Sequence, residues 1–508
     1  MGENKKERDS NLTNVALGGG ITFAGVFLGG GLQYFYHILL ARYLGPDDLG
    51  VFVLGLAIIG IASSFSRLGL DSGILKYVPI YRVAGDTARV KGIVTEALKL
   101  GVIAGVLVSA LIVILSPTIA KMIFGSQEHS PLLKILSLAI PFLVLMPLLL
   151  STFQAFHIAR YSALIPNFIF PLLNILFTVF ALIIGWRLKG IAFVYLIVTI
   201  FSFSLAGYYF FKLFPEIRKG PHGVIKREEL LKYSLSLFGV SFLVFLIMWT
   251  DTLMIGFFKS SKEVGIYSVA VKTSVLLSII LNSLNFIFAP VISELYNNND
   301  IKQLERIFKT VARWGISLAF PLFLIMAFWS KEILSLFGVG FISASIPLII
   351  LALGQFVAVG TGSVGNMLFM TGGNMIVLIY VTAAFFVNLL LNYLLIPPYG
   401  IIGAAIATST SISLINILCL ITVSLLLKIH PYSTEIFKPV LTGISVLFLT
   451  MLAVQYADFE WLGTLLLSSV IFMIFYFSVF LLFCLNDEDK ETFRDVKNRA
   501  RTILIKPT

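Results

Sequence analysis

The sequence predicts an all-α polytopic membrane protein of about 14 transmembrane helices, built as two six-helix lobes in parallel repeat followed by two C-terminal helices. Three observations predict it. Of the 508 residues, 58% are hydrophobic and 12% charged, about half the charge share of a soluble domain, and mean hydropathy is +0.97. Apolar runs recur at the length needed to cross a bilayer, about 20 residues. The chain also resembles itself at a shift of about 214 residues.

The runs lie at approximately 14–41, 49–70, 92–116, 132–155, 162–185, 188–211, 232–258, 264–290, 311–330, 343–369, 375–396, 400–427, 435–456 and 461–485. The polar stretch before the first run shows no small-residue cleavage site. Residues 1–13 are therefore read as a cytoplasmic tail ahead of a retained span. Residues 14–211 form the first lobe, 212–231 a cytoplasmic linker, 232–427 the second lobe, 435–485 two extra spans and 486–508 a basic cytoplasmic tail. Charge sets the orientation. With the N-terminus in the cytoplasm, about 28 of the 37 Lys and Arg fall on the cytoplasmic side and about 8 outside, with Lys272 inside a span. That is the positive-inside pattern, and it places both termini in the cytoplasm of a multi-pass plasma-membrane protein. The tail "RDVKNRARTILIK" suits anionic headgroups rather than nucleic acid. Cys419 and Cys484 each sit in an apolar run and read as small buried thiols, without disulfide or metal-ligand spacing.

The repeat is carried by short strings. "DDLGVF" (Asp47 to Phe52) matches "KEVGIY" (Lys262 to Tyr267), and "YVPI" (Tyr77 to Ile80) matches "FAPV" (Phe288 to Val291). Lys99 faces Arg313, Asn174 faces Asn388, and "LKGIAFVYLIVTIFS" faces "IIGAAIATSTSISLI". The shift crosses an even number of spans, so both copies point the same way, a common transporter plan. The last span of the second lobe is lean: after "PPYG", read as a tight turn, come Gly403, Ala404, Ala405, Ala407, Thr408, Ser409 and Ser411. Small residues let helices approach in lipid. Static packing and a surface along which helices shift are both open.

At these residues the chain resembles the polysaccharide flippase family of the multidrug/oligosaccharidyl-lipid/polysaccharide exporter superfamily. The resemblance rests on "LLARYLGPDDLGVF", "DTLMIGFFKSSKEVGIYSVAVK", "FAPVISELY", "TGGN" and "NYLLIPPYGIIGAAIAT", in that order, over nearly the whole chain. It implies two six-helix lobes around a V-shaped central cavity. It also implies flipping of a lipid-linked saccharide, on a polyprenyl (di)phosphate, from the cytoplasmic to the outer leaflet by alternating access. Its expected partners are that lipid, the bilayer and other envelope-polysaccharide assembly proteins.

Charges in hydrocarbon cost about 2.5–3.5 kcal/mol on insertion scales and normally face a cavity or a partner. Asp251 and Lys272 fall at nearly equal depth on adjacent spans, which predicts that they face each other or share the cavity wall. As a salt bridge the pair neutralises itself; as a switch it couples ion movement to substrate. A shift of 215 puts Tyr36 and Ala57 at the matching first-lobe sites, so any cation site is asymmetric. Arg67, Asp71 and Lys76 cluster where span two meets the cytoplasm, with Arg67 and Asp71 on one face of a continuous helix. Arg67 and Lys76 suit a phosphate headgroup, or they are snorkelling helix ends. Arg42, at the outer end of span one, and Arg160, between spans four and five, carry the same two options. Asn167, Asn174, Asn282, Asn285, Asn388 and Asn392 serve either helix packing or sugar recognition. In-span prolines at 141, 147, 166, 171, 321 and 347 predict kinks.

An integral-membrane saccharide polymerase or ligase would need acids, bases or metal ligands gathered at an aqueous edge. The five histidines are scattered, and no paired-acid motif or phosphate loop is present. A carrier, not an enzyme, is expected. It has no cofactor or metal, and H+ or Na+ coupling is open because the sequence has no ATP-binding motif. A multidrug extruder of the same fold is the runner-up; the basic set Arg67, Lys76 and Lys272 favours a phosphate-lipid route.

Overall fold

The computed structural model describes residues 2–156, 158–215, 217, 227–454 and 461–480, with no side-chain detail for 2–27. The tail 486–508, Cys484 and residues 216 and 218–226 of the linker lie outside the described residues. Among the described residues every regular element is helical. By length and hydropathy eleven helices qualify as spans, against about fourteen expected. The first of the eleven takes in two expected runs, and two further runs are present as the shorter apolar helices Phe242–Phe258 and Ser468–Val479.

Helix α1 (Gly2–Arg67) is broken at Gly45, whose φ of 72° suits a residue without Cβ, and Pro46 follows with no N–H to offer. The chain thereby turns from span one into span two. At Leu68 and Gly69, both with positive φ, it breaks again before α2 (Leu70–Val83). The first lobe continues through α3 (Thr87–Ile123), α4 (Ser130–Ser137), α5 (Ile140–Ala155), α6 (Ala159–Leu164), α7 (Phe170–Ile183) and α8 (Leu188–Leu213). The second comprises α9 (Arg227–Phe258), α10 (Ser261–Ser274), α11 (Leu276–Asn297), α12 (Ile301–Phe328), α13 (Ser330–Ser335), α14 (Ser345–Gly360), α15 (Val364–Met370), α16 (Asn374–Tyr399) and α17 (Ile401–Leu427). Helices α18 (Phe437–Val454) and α19 (Trp461–Val479) follow.

The repeat is written into the turns. Gly85 and Asn299, 214 residues apart, both take positive φ. The next residues, Asp86 and Asp300, both cap a helix, accepting from the backbone N–H of Arg89 at 2.9 Å and of Gln303 at 3.1 Å. Gly125 and Gly338, and again Gly185 and Gly400, are further positive-φ pairs at nearly the same offset. The second span of each lobe is interrupted, α1 from α2 at Leu68–Gly69 and α10 from α11 at Val275, though not at repeat-related positions.

Side chains such as Leu107, Ile114, Phe180, Phe386 and Leu425 are exposed, as lipid-facing residues are. Inside, close approach replaces hydrophobic pressure. The lean α17 buries Gly403, Ala404, Ala405, Ala407, Ser409 and Ser411. A Cβ added to Gly354 of α14 would come within 2.6 Å of Ser409 Oγ. These contacts lie within the second lobe, so the lean stripe is packing there. Pro397 and Pro398 fall in the last turn of α16, and Gly400 alone makes the turn expected of "PPYG". Pro166 lies in a π-helical segment, Ile165–Ile169, and Pro171 sits just inside α7.

Gly354→Val should wedge α14 from α17 at about 1–3 kcal/mol, typical of overpacking. It should lower the unfolding temperature in detergent, whereas Gly207→Val, with nothing within 4 Å of its added Cβ, should not.

Candidate functional site

A cavity of about 210 Å³ lies between the lobes. Gly29, Gly30, Gln33 and Tyr34 of α1, with Pro166, Asn167 and Pro171, form its first-lobe wall. Lys272 and Val275, around the α10–α11 break, begin the other. The site is open for local reasons: two glycines leave bulk out of α1, and the prolines loosen the helix opposite them into a wider turn. Lys272 is exposed to this cavity although it lies midway along a span. Among the described residues no carboxylate pairs with it. Tyr34 OH and Thr273 Oγ1 bond at 3.2 Å beside it, and His37 Nε2 lies 3.5 Å from Ser268 Oγ one turn back.

Asp251 does not face Lys272, which corrects the expected pair. It is buried within the second lobe. Tyr267 OH donates to Oδ2 at 2.7 Å, Asn392 Nδ2 to Oδ1 at 2.6 Å, and Asn388 Nδ2 to Oδ1 at 3.4 Å. Thr408 Oγ1 also donates to Oδ2. The expectation failed on azimuth. Lys272 follows Tyr267 by five residues, about 140° round the helix, so one residue faces Asp251 and the other the interlobe cavity. Asn392 donates to Asn388 Oδ1 at 3.1 Å, while its own Oδ1 is buried and unpartnered. Two hydroxyls and two amide nitrogens thus donate to one buried carboxylate, a group that could exchange this set for a proton, or for a small cation were the amides to turn their oxygens inward. No group of three His, Cys, Asp or Glu that could hold a metal occurs among the described residues. The first-lobe twin is neutral: Tyr36 OH, Asn174 Oδ1 and Thr178 Oγ1 are buried without hydrogen bonds.

The remaining candidates are dispersed. Arg67 pairs with Asp71 at 3.7 Å, across the Leu68–Gly69 break rather than along a continuous helix. Its Nε is buried without a partner. Lys76 does not line the interlobe cavity; its ammonium lies 3.6 Å from the centroid of the Tyr233 ring, on the opposite lobe. Arg42 Nε donates to the Leu336 carbonyl at 2.6 Å. Arg160 is exposed beside the Tyr161 ring. Asn167 and Asn174 donate to the carbonyls of Ala163 and Phe170 one turn back. Asn282 is exposed, and Asn285 accepts from Ser363 Oγ.

Sequence reasoning missed Tyr267, Thr408 and Tyr233 as partners. Tyr267 and Thr408 were visible only as a repeat marker and a small packing residue. Also missed was the bond between buried Arg313 and Glu435, which ties the second lobe to the C-terminal helices.

Two lobes around an interlobe cavity, with a polar cluster in one, invite comparison with known proteins. The sequence pattern of the family described as "Polysaccharide biosynthesis protein" matches residues 15–296, more than half of the chain. The chain belongs to this family. The MatE pattern matches residues 237–394. A relative, uncharacterized membrane protein MJ1068 of Methanocaldococcus jannaschii, is 27% identical over 75% of this chain and 78% of its own length. Probable flippase AglR of Haloferax volcanii is 31% identical over 34% of this chain and 36% of its own. Among solved structures, lipid II flippase MurJ in an inward closed conformation matches with TM-score 0.73 at 17% identity, covering 91% of this chain and 98% of that one. An inward-facing multidrug resistance MATE family transporter matches with TM-score 0.64 at 16% identity, over 79% and 94%. These structural likenesses establish the fold.

Asp251→Asn and Asn392→Ala should be coupled by about 0.5–3 kcal/mol in a double-mutant cycle, as groups in one buried network are. Thermal unfolding in detergent reads the coupling; additive effects would remove Asn392 from the network.

Proposed function

We propose that this family member is a flippase that moves a lipid-linked saccharide between leaflets by alternately opening its interlobe cavity to each side. One observation carries the reading: Lys272 stands exposed in a cavity between the lobes, within the span, with no carboxylate among the described residues to neutralise it. An intramembrane cation kept without a partner marks a route for something anionic. A phosphate or diphosphate linking lipid to sugar supplies that charge. The names of two relatives over a third of this chain, probable flippase AglR and probable low-salt glycan biosynthesis flippase Agl15 of Haloferax volcanii, support the same reading. The face bearing the Gly45, Gly338 and Gly400 turns is the outer one by charge, and the termini are cytoplasmic in a cell membrane.

The cavity is smaller than the roughly 300–1,000 Å³ of ordinary ligand sites, so loading requires the lobes to part. The Asp251 cluster is the coupling site in this reading. A proton or small cation at Asp251 changes how Tyr267 on α10 and Asn388 and Asn392 on α16 are held. Because Lys272 lies on α10 too, ion occupancy is felt at the substrate cavity. Neutral hydroxyls and amides supply the rest of the site, so no cofactor is needed.

The test is reconstitution of the purified protein in liposomes with a fluorescent polyprenyl-diphosphate saccharide and a panel of cationic drugs. Saccharide-lipid should move and the drugs should not. Lys272→Gln should slow movement at least tenfold with unchanged membrane insertion and melting temperature. Asp251→Asn should abolish any dependence on a Na+ or H+ gradient. Drug transport without saccharide movement would replace this reading with the extruder, and normal flipping by Lys272→Gln would remove the cavity as the route.

A further inference from the structure

The seam between the lobes closes on the outer face by backbone contact. Gly50 and Gly265, twin positions of the repeat, meet there. A Cβ on Gly50 would lie 1.6 Å from the Ser261 carbonyl oxygen, and one on Gly265 would lie 2.0 Å from that of Pro46. Close by, Arg42 of the first lobe reaches the second. Its Nε donates to the carbonyl of Leu336, at the end of α13. Carbonyls at a helix end lack intrahelical donors and carry partial negative charge, so a cation is well placed there.

Arg42 is nevertheless not neutralised. Among the described residues it has no ion pair, it is exposed, and it forms one wall of an outer cleft of about 670 Å³ with Lys331, Glu332, Ser335 and Gly338. The cleft is of the size of ordinary ligand sites. A guanidinium has five N–H donors in a rigid plane, and the edge that includes Nε is one of those that grip phosphate with two parallel bonds. In this structure that edge is spent on a neutral carbonyl. A charge-assisted bond to phosphate is roughly twice as strong as a neutral one, and Lys331 adds a second cation to the cleft. Glu332 opposes an anion, which leaves the two cations in excess by one charge.

We propose that Arg42 is an outer latch released by the cargo: it bonds the lobes together while the cleft is empty, and exchanges the Leu336 carbonyl for the phosphate or diphosphate of a lipid-linked saccharide arriving at the outer face. Binding the headgroup and unlocking the seam become one event, and the cleft shared with Lys331 is the release site. This inference rests on the flippase reading for its cargo, though not for its geometry.

Spin labels at Asp47→Cys and Lys262→Cys report the seam, because these exposed twin positions flank Gly50 and Gly265. The protein is the full chain in nanodiscs, with Cys419→Ala and Cys484→Ala. Farnesyl diphosphate should raise the long-distance population at least threefold, and Arg42→Gln should raise it without ligand and erase the response. Arg42→Lys, which keeps charge but loses the planar fork, should respond weakly. Inorganic pyrophosphate separates sources: if it acts alone, the headgroup suffices; if only the prenyl form acts, delivery from the leaflet is also required; either supports the latch. No shift with either probe, or an Arg42→Gln variant that responds like the parent, would overturn it. A diphosphate response through Arg42 in a protein that moves no saccharide-lipid would leave the latch and remove the flippase reading. Flipping with an unresponsive seam would do the reverse.

Discussion

A carboxylate inside a lipid-bounded bundle must be satisfied by protein, and Asp251 is satisfied by three helices besides its own. Burying such a group unpaired is prohibitively costly, so α10, α16 and α17 are held to α9 within hydrogen-bond reach. This requirement explains the lean helix. Thr408 can reach Asp251 only if α17 comes close, and α17 comes close because it is built of Gly, Ala, Ser and Thr where a Leu-rich helix would stand away. Gly354 extends the same economy of bulk to α14. The second lobe therefore adds one shared polar point to its buried apolar clusters.

The spans, the repeat and the two-lobe plan were legible in the sequence because length, hydropathy and turn chemistry are local. Gly45, Gly85, Asp86 and Gly400 act within a few residues, as turns and caps do. The site was less legible. Position along a span can be counted from the sequence. Which way each residue points depends on helix azimuth, which an apolar run carrying apolar residues on every face does not fix, and the break at Leu68–Gly69 resets azimuth for Arg67 and Asp71. The bond from Arg42 to the Leu336 carbonyl had no sequence signature, since every residue carries that acceptor.

The twin lobes have kept their frame and lost their chemistry unequally. At the first-lobe counterparts of Asn388 and Asn392 stand Asn174 and Thr178, and a tyrosine, Tyr36, stands where the carboxylate would be. Those groups are buried and neutral, so burying them costs far less than burying an ion. Any charge coupling is thereby confined to the second lobe. A device with one ion-responsive half and one inert half moves that half against a fixed reference, which is simpler than coordinating two.

Alternation also requires that the seam be weaker than the lobes it joins. Within each lobe, helices interlock through buried side chains such as Leu70, Phe153 and Phe210 in the first, and Leu304, Phe308 and Val423 in the second. Across the seam the distinctive contacts are of another kind. Gly50 and Gly265 meet through backbone. Toward the opposite face, Lys76 sits over Tyr233, and Tyr77 meets the same ring edge-on at 5.6 Å. Cation–π and aromatic pairs contribute about 0.5–1.5 kcal/mol each, within reach of what a bound substrate can offset. The twin glycines let the two backbones meet, and around them Leu49, Phe52 and Leu54 of the first lobe pack with Ile255, Val264 and Val269 of the second in one buried apolar cluster.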